Sequence, residues 1–130
     1  MTDVRQERTG WRDLGLSQLH REWGFNCPML DIDFIALEYN QAKAAALVEY
    51  KHERAQPALP SHPSYRALAD LGSRAGIPVF GVRYADDYSW FHAVPLNPEG
   101  CRWVASMGES FTKLEWRRLL YQLRGIKDEG

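Results

Sequence analysis

Two apolar runs joined by a short polar turn dominate the first half of the chain. The first run, MLDIDFIALEY, begins at Met29 and is rich in strand-forming residues. The second run, KAAALVEYK, ends at Lys51. The connecting residues NQAK include Asn40, whose side chain suits a turn. The two runs therefore predict a β-hairpin.

Helical spacing of apolar residues predicts three helices around this hairpin. The first runs from about Arg12 to Trp23, and the second lies within SYRALADLGSRAG and stops at Gly76. The third lies within SFTKLEWRRLLYQLRG, where Thr112 and Glu115 form a capping-box pattern. The segments PVFGVRYA and YSWFHAVPLN are predicted strands, with a hairpin turn at ADD. This order of elements predicts an α/β (α+β) fold, with a mixed sheet flanked by helices.

Composition limits the class of protein. A chain of 130 residues with 45% hydrophobic and 25% charged residues is expected to form a single globular domain, residues 1–130. The formal charge of −1 supplies no overall attraction to nucleic acid, so a polyanion would have to meet a local basic patch. Cys27 and Cys101 lie far apart behind a polar N-terminal segment, which indicates a reducing cytoplasm. We expect no membrane-spanning segment.

Charged residues stand at the ends of both hairpin strands. Alternate side chains of a strand share a face, so Asp31 and Asp33 lie together, as do Glu49 and Lys51. If the hairpin register joins these faces, two or three carboxylates and one ammonium converge. Carboxylates on adjacent rigid strands suit a hard divalent ion such as Mg²⁺. A nearby lysine can then help deprotonate the attacking water or offset charge on a phosphoryl oxygen.

On these residues the chain resembles the PD-(D/E)XK nucleases, a superfamily that includes Holliday-junction resolvases and small phage and repair nucleases. Asp33 opens DFIAL, and Glu49, Tyr50 and Lys51 close ALVEYK, as in the pattern of an acid on one strand and acid-X-lysine on the next. The proline of the pattern is absent. The resemblance implies a restriction-endonuclease-like core of helix, three strands, helix and strand. Here that core would carry an added C-terminal strand and helix, with its third strand taken from the region near Pro28.

The resemblance also implies a function. Asp33 and Glu49 would bind Mg²⁺ or Mn²⁺, and Lys51 would be the catalytic lysine of a nuclease that hydrolyses DNA. Branched DNA and a homodimer are implied, with structure-selective or weakly sequence-specific cleavage. Glu22 is the candidate for the acid that many members carry on the first helix. Tyr65 is the candidate for a family glutamine or tyrosine on the second helix, and it is left unassigned.

Further candidates follow from residue type and position. Asp31 is an alternative to Asp33 as a metal ligand, or else a strand-entry residue that bonds its own backbone. His20 and His52 are candidate proton carriers or phosphate contacts, with an ordinary surface position as the alternative. The candidate nucleic-acid contacts are basic residues near the predicted site in sequence: Lys43, Arg54, Arg66 and Arg83.

Two other classes of function remain open from the sequence. A catalytically inactive module with the same fold could bind nucleic acid or protein. Alternatively, tryptophans could form the subunit interface of a structural protein, with Trp11, Trp90, Trp103 and Trp116 as the candidates.

Overall fold

The computed structural model describes residues 14–24, 32–56 and 60–125 of the chain. It divides into two compact units, Met1–Asp31 and Ile32–Gly130. The described part of the first unit contains one helix, α1 (Leu14–Trp23), which agrees with the helix predicted there. The second unit carries the sheet and the remaining described elements.

The second unit is built on a five-stranded mixed sheet, and with α1 the described residues contain three α-helices. The predicted α/β class with a mixed sheet is therefore confirmed. Its elements, in chain order, are β1 (Phe34–Glu38), β2 (Lys43–His52), α2 (Pro63–Ala75), β3 (Val79–Tyr84), β4 (Trp90–Pro95), β5 (Glu109–Thr112) and α3 (Lys113–Leu123). The strands lie side by side in chain order. Only β2 and β3 pair in parallel, which requires a crossover connection, and α2 supplies it.

The predicted hairpin is formed by β1 and β2. Phe34 pairs with Val48 at one end and Glu38 with Lys43 at the other, with an irregularity between Ala36 and Leu37. In the connecting turn, the Asn40 N–H donates to the Glu38 carboxylate over 2.8 Å. The polar turn thus satisfies its own backbone and sets the register of the pair.

The two faces of the sheet pack against different helices. On one face Val48, Phe80 and Ala93 pack with Trp116 and Leu119 of α3. Trp116 is only 3% exposed, so it belongs to the core and not to the surface available for a subunit interface. On the opposite face the smaller cluster Leu47, Leu68 and Val79 joins the sheet to α2. The alternation along β2 therefore separates the side chains that face α3 from those that face α2.

Helix α2 lies unusually close to β3. Tyr65 and Leu68 face the sheet and are buried, whereas Leu71, at the same helical spacing, is 46% exposed. Gly72 takes the buried position in that turn, because a Cβ there would overlap the Val79 side chain. The helix ends as predicted at Gly76, whose φ of 74° belongs to the left-handed region.

The C-terminal helix begins where the capping-box pattern predicts, and the residues before it form a strand that the sequence did not predict. Glu109–Thr112 is β5, which pairs with β4. Pairing with a neighbouring strand decides this conformation, and four residues are too few to show a strand period in the sequence. The predicted capping box is confirmed, because the Thr112 hydroxyl accepts from the Glu115 N–H and the Glu115 carboxylate accepts from the Thr112 N–H.

One expectation falls outside the described ranges, and another concerns residues within them. The region near Pro28, from which a third strand was expected, falls in the undescribed segment 25–31. In the described residues no helix has the length and apolar character needed to cross a bilayer.

Candidate functional site

Glu49 and Lys51 project from the face of β2 that packs against α2. Leu47, two residues earlier on the same strand, packs with Leu68 of α2. Alternate residues of a strand share a face, so Glu49 and Lys51 lie on the same side. Both side chains are half-buried. The acid and the lysine therefore stand between the sheet and α2, near the C-terminal end of β2.

Asp33 is held against this end of β2 by a hydrogen bond. Its carboxylate Oδ2 accepts from the backbone N–H of Tyr50, the residue between Glu49 and Lys51, over 3.1 Å. Continuing the pairing of Phe34 with Val48 by one position sets Asp33 opposite Glu49. Directly opposed residues on adjacent strands face the same side. The hairpin thus brings Asp33, Glu49 and Lys51 to one place.

Tyr65 of α2 lies within the electrostatic reach of both carboxylates. Burial raises the pKa of its hydroxyl above the ordinary value, and the negative charges of Glu49 and Asp33 raise it further, whereas Arg83 lowers it. Tyr65 is therefore a neutral hydrogen-bond donor at neutral pH. The Tyr65 hydroxyl is thus within electrostatic range of both carboxylates, which agrees with their position on the face that packs against α2.

Arg83 on β3 lies beside Lys51 and is anchored by the backbone that follows β2. Lys51 and Arg83 are paired in the parallel register. One guanidinium nitrogen of Arg83, NH1, donates to the carbonyls of Glu53 over 2.8 Å and Ala55 over 3.1 Å. The arginine therefore holds the turn after β2 in place and keeps a permanent positive charge next to the lysine.

His52 points to the opposite side of the sheet from Glu49 and Lys51. Its ring contacts Tyr84 edge-on, with centroids 5.6 Å apart. Its Nδ1 accepts from the Arg54 N–H over 3.1 Å, so Nε2 carries the proton and donates to Asp86 over 2.8 Å. His52 is thereby part of a turn on the other face and not of the carboxylate cluster.

The other predicted basic contacts occupy scattered positions. Lys43 starts β2 and is exposed, eight residues before Lys51, which corresponds to about 26 Å along the strand. Arg54 is exposed in the turn after β2, and Arg66 is exposed on α2 directly after Tyr65. Of these three, Arg54 and Arg66 flank the site in sequence, whereas Lys43 belongs to the far end of its strand.

Three predicted auxiliaries belong to the first unit of the chain. Glu22 is exposed on α1, and His20 on the same helix contacts Trp23 edge-on, with ring centroids 4.7 Å apart. Asp31 lies outside the described residues.

Asp33 and Glu49 are the side chains suited to hold a divalent metal ion. No three His, Cys, Asp or Glu side chains in the described ranges come together as a metal-binding group. Mg²⁺ needs fewer protein ligands, because it usually retains several waters and binds through one or two carboxylates plus substrate phosphates. Two carboxylates that share a face and both act on the Tyr65 hydroxyl agree with that requirement. The residues present therefore fit Mg²⁺.

Two clefts open on opposite sides of the sheet. The larger, of about 470 Å³, is aromatic and apolar, with Phe34, Tyr50, Tyr84 and Phe91 among its walls. The smaller, of about 200 Å³, is lined by Lys51, Tyr65, Gly81, Arg83 and His92 among others. Size alone favours the larger cleft as a binding site. The charged side chains of Lys51 and Arg83, however, line the smaller one. Chemistry therefore identifies the smaller cleft as the candidate functional site.

Sequence reasoning left two residues of this cleft without a role. Tyr65 was noted but not assigned, and His92 was not singled out. Neither could be placed without knowing how α2 and β4 lie on the sheet, since each is far in sequence from Glu49 and Lys51. A signal was present for Tyr65, which starts the apolar stripe of α2.

Comparison with known proteins does not assign this chain to a family. Comparison of the sequence and the structure with protein-family models, curated proteins and solved structures found no match. The resemblance to PD-(D/E)XK nucleases thus rests on the residues named above.

Proposed function

We propose that this protein is a metal-dependent nuclease of the PD-(D/E)XK type that hydrolyses phosphodiester bonds in DNA. The observation that carries the proposal is the hydrogen bond from the Tyr50 N–H to the Asp33 carboxylate, 3.1 Å long. It joins the acid that directly precedes β1 to the residue between Glu49 and Lys51. The three side chains of the motif therefore meet at one end of one face of the hairpin.

The order of elements gives further support. An antiparallel pair, β1 and β2, is followed by helix α2 and by β3, which is parallel to β2. The restriction-endonuclease-like core also places strands before a helix and a further strand. On this basis we assign β1 and β2 to the last two strands of its three-stranded segment. The strands β4 and β5 and helix α3 are then additions beyond that core.

The residues of the site can divide the work of hydrolysis. In the reaction the oxygen of a water attacks phosphorus, and the bond from phosphorus to the leaving oxygen breaks. A bound Mg²⁺ would supply Lewis-acid polarisation of the phosphate and would make the water more acidic. Asp33 and Glu49 would hold the ion, and the Lys51 ammonium would offset negative charge on the phosphoryl oxygens. Tyr65, which stays protonated beside the two carboxylates, would donate a hydrogen bond within the site.

The rest of the proposal concerns substrate, assembly and location. With no base-reading insert identified, structure-selective or weakly sequence-specific cleavage is proposed, with branched DNA as the first substrate class to test. A homodimer and a reducing cytoplasm complete the proposal. Sedimentation over a range of protein concentrations tests the dimer separately from activity.

A cleavage assay tests the proposed activity directly. Labelled linear, flapped and four-way-junction DNA would be incubated with Mg²⁺ or Mn²⁺, with EDTA as the metal-free control. We expect metal-dependent cleavage by the wild type and a loss of about 100-fold or more in Glu49→Gln and Lys51→Ala, the scale of removing one charge-stabilising group. Asp33→Asn is the sharpest variant, because its amide oxygen can still accept from the Tyr50 N–H while the charge is gone.

Matched controls separate the site from general charge effects. Asp70→Asn removes an acid that pairs with Arg74 on the surface of α2, and Lys113→Ala removes an exposed lysine at the start of α3. Both should cleave like the wild type. Cleavage that survives in Lys51→Ala would contradict the proposed mechanism. An inert wild type that is folded by circular dichroism and still binds DNA would instead support the inactive binding module.

A further inference from the structure

A row of basic side chains crosses the sheet at the level of Lys51. Lys51 on β2 pairs with Arg83 on β3, and Arg83 pairs with His92 on β4. Directly paired residues point to the same face, so all three face α2. With strands about 4.8 Å apart, the row extends about 10 Å from the backbone of Lys51 to that of His92. We call Lys51, Arg83 and His92 the basic row.

The basic row lies in the smaller cleft, which is open at its surface. All three members line this cleft of about 200 Å³, together with Tyr65 and Gly81. Gly81 lies two residues before Arg83 on β3, where it is paired with Glu49. As a glycine it contributes no side chain to the cleft. A Cβ at Gly81 would lie 3.6 Å from the Leu96 side chain and 3.8 Å from the Tyr65 ring, which is ordinary van der Waals contact. The glycine therefore lets Leu96 and Tyr65 lie close to the sheet, and the basic row lines the cleft beside them.

His92 is held so that one ring nitrogen is committed. Its Nδ1 lies 2.8 Å from the Ser110 hydroxyl on β5, the strand next to β4. Gly108 approaches the Nε2 edge of the ring closely, since a Cβ there would come within 2.6 Å of that nitrogen. Gly108 also has a φ of 99°, which disfavours any larger residue. The ring is thus positioned by Ser110 and by the close approach of Gly108, and it lines the cleft.

Charge changes sign across this face of the sheet. The carboxylates of Asp33 and Glu49 lie toward the β1 side, and the basic row extends from Lys51 away from them toward β4. Glu109 of β5 pairs with Ala93, so it lies on the opposite face and does not neutralise His92. An anion lying across the strands would meet the basic row along most of its length. Only at its β1 end would it meet the carboxylates, where a metal ion would bind. A chain of phosphates is the anion that matches this arrangement.

We propose that the basic row binds the sugar-phosphate backbone of one nucleic-acid strand, with His92 contacting a phosphate next to the one that is cleaved. This inference rests on the nuclease function proposed above and adds the path and direction of the substrate. The strand crosses β2, β3 and β4 in turn. His92 is a binding residue in this scheme and takes no part in bond cleavage. Contacts to phosphate position a strand without reading its bases, which agrees with weak sequence specificity.

Binding and cleavage measurements test the role of His92. Anisotropy of a labelled single-stranded oligonucleotide in EDTA reports binding alone. For His92→Ala we expect the Kd to rise about tenfold, as for one lost hydrogen bond to a charged phosphate. With Mg²⁺ the KM should rise while kcat stays within about twofold. Lys113→Ala, on helix α3 of the other face, is the control and should match the wild type.

A second measurement needs no substitution. Inorganic phosphate titrated into the ¹⁵N-labelled wild type should shift the His92 ring resonances, with those of His52, on the opposite face and bonded to Asp86 and Arg54, as the internal reference. Unchanged affinity in a folded His92→Ala, or phosphate that leaves the His92 ring unshifted, would overturn the inference. Phosphate and oligonucleotide binding at His92 without any metal-dependent cleavage would support the row and refute the nuclease. Metal-dependent cleavage with the same KM in His92→Ala as in the wild type would support the nuclease and refute the role of the basic row.

Discussion

Tyr65 reports the charge state of the candidate site through its own hydroxyl. Burial is the main cause of its raised pKa, and the charges of Glu49 and Asp33 add to it. Replacing Glu49 by Gln removes one of the two negative charges, so the anionic form of Tyr65 becomes less unfavourable. We expect the pKa of Tyr65 to fall in Glu49→Gln but to remain above its ordinary value near 10, because burial persists. Ultraviolet difference absorbance during alkaline titration measures this.

Tyr50 is the internal control for that experiment. Its pKa is also raised by burial, with the hydrogen bond from Trp116 acting in the opposite direction, and Glu49 has no part in it. Titration of Tyr50 should therefore be the same in Glu49→Gln and the wild type, and Tyr65→Phe identifies which transition belongs to Tyr65. A Tyr65 transition that does not move in Glu49→Gln would mean that the carboxylate is not near the hydroxyl.

The positions of the motif residues could be predicted from the sequence, whereas the position of Tyr65 could not. Glu49 and Lys51 share a face because they are two apart in a strand, which local geometry alone predicts. Asp33 reaches them through a hairpin of short loop length, which the turn residues also indicate. Tyr65 comes to the site only through the packing of a helix on the sheet, and no local pattern sets that distance. The sequence therefore predicted the hairpin part of the site and left its helical part unassigned.

Helix α2 makes a contact with β3 that depends on having glycine at position 72. In an ordinary helix interior, Gly→Ala stabilises by about 0.5–1 kcal/mol. Here the added Cβ would overlap the Val79 side chain and lie 3.0 Å from Asn97 Nδ2 and 3.1 Å from the Ile77 carbonyl. We expect Gly72→Ala to destabilise the fold by about 1–3 kcal/mol, as overpacking does. Urea unfolding followed by circular dichroism measures the change.

A double-mutant cycle separates overlap from other effects of this substitution. Val79→Ala should cost stability by itself, because Val79 is fully buried. Combined with Gly72→Ala it removes the overlapping methyl group, so the double variant should lose less than the sum of the two single losses. A stabilising Gly72→Ala, or strictly additive losses, would show that α2 does not approach β3 as closely as described.

Element type was predicted well where a period is long enough to be seen, and poorly where pairing decides. Strand β2 has 10 residues and helix α2 has 13, so each shows its repeat clearly in the sequence. Strand β1 is shorter, but a clear turn joins it to β2. All three elements form as expected. The strand β5 has four residues and owes its conformation to pairing with β4. A segment this short has too little local preference to show in the sequence, so no strand was predicted there.

The whole fold should lose stability in alkaline solution. Tyr50 and Tyr65 both have a pKa raised above the ordinary value near 10, chiefly through burial. Below about pH 10 both are protonated in the folded and unfolded chains, and their contribution is constant. As pH rises further the unfolded chain releases these protons first, so stability falls until the folded pKa values are passed. Urea midpoints from about pH 8 to about pH 11 measure the decline.

Phenylalanine variants test the source of this pH dependence. Tyr50→Phe also removes the acceptor of the Trp116 N–H, which is bonded over 2.9 Å, so its stability should be lower at every pH. The decisive quantity is the slope of stability against pH. The slope above about pH 10 should be shallower in Tyr65→Phe and in Tyr50→Phe than in the wild type. An equally steep decline in the double variant would assign the effect to other groups.

Local sequence patterns were enough to predict the mixed α/β class, the hairpin, the C-terminal stop of α2, the capping box of α3, and the acid-X-lysine pattern at the end of β2. These features depend on residues a few positions apart, whose relation follows from the repeat of a strand or a helix. The tertiary structure alone decided that Tyr65 faces Glu49, that His52 lies on the opposite side, and that Lys51, Arg83 and His92 form a row. Those relations depend on strand register and helix packing between distant segments, and local geometry does not set either.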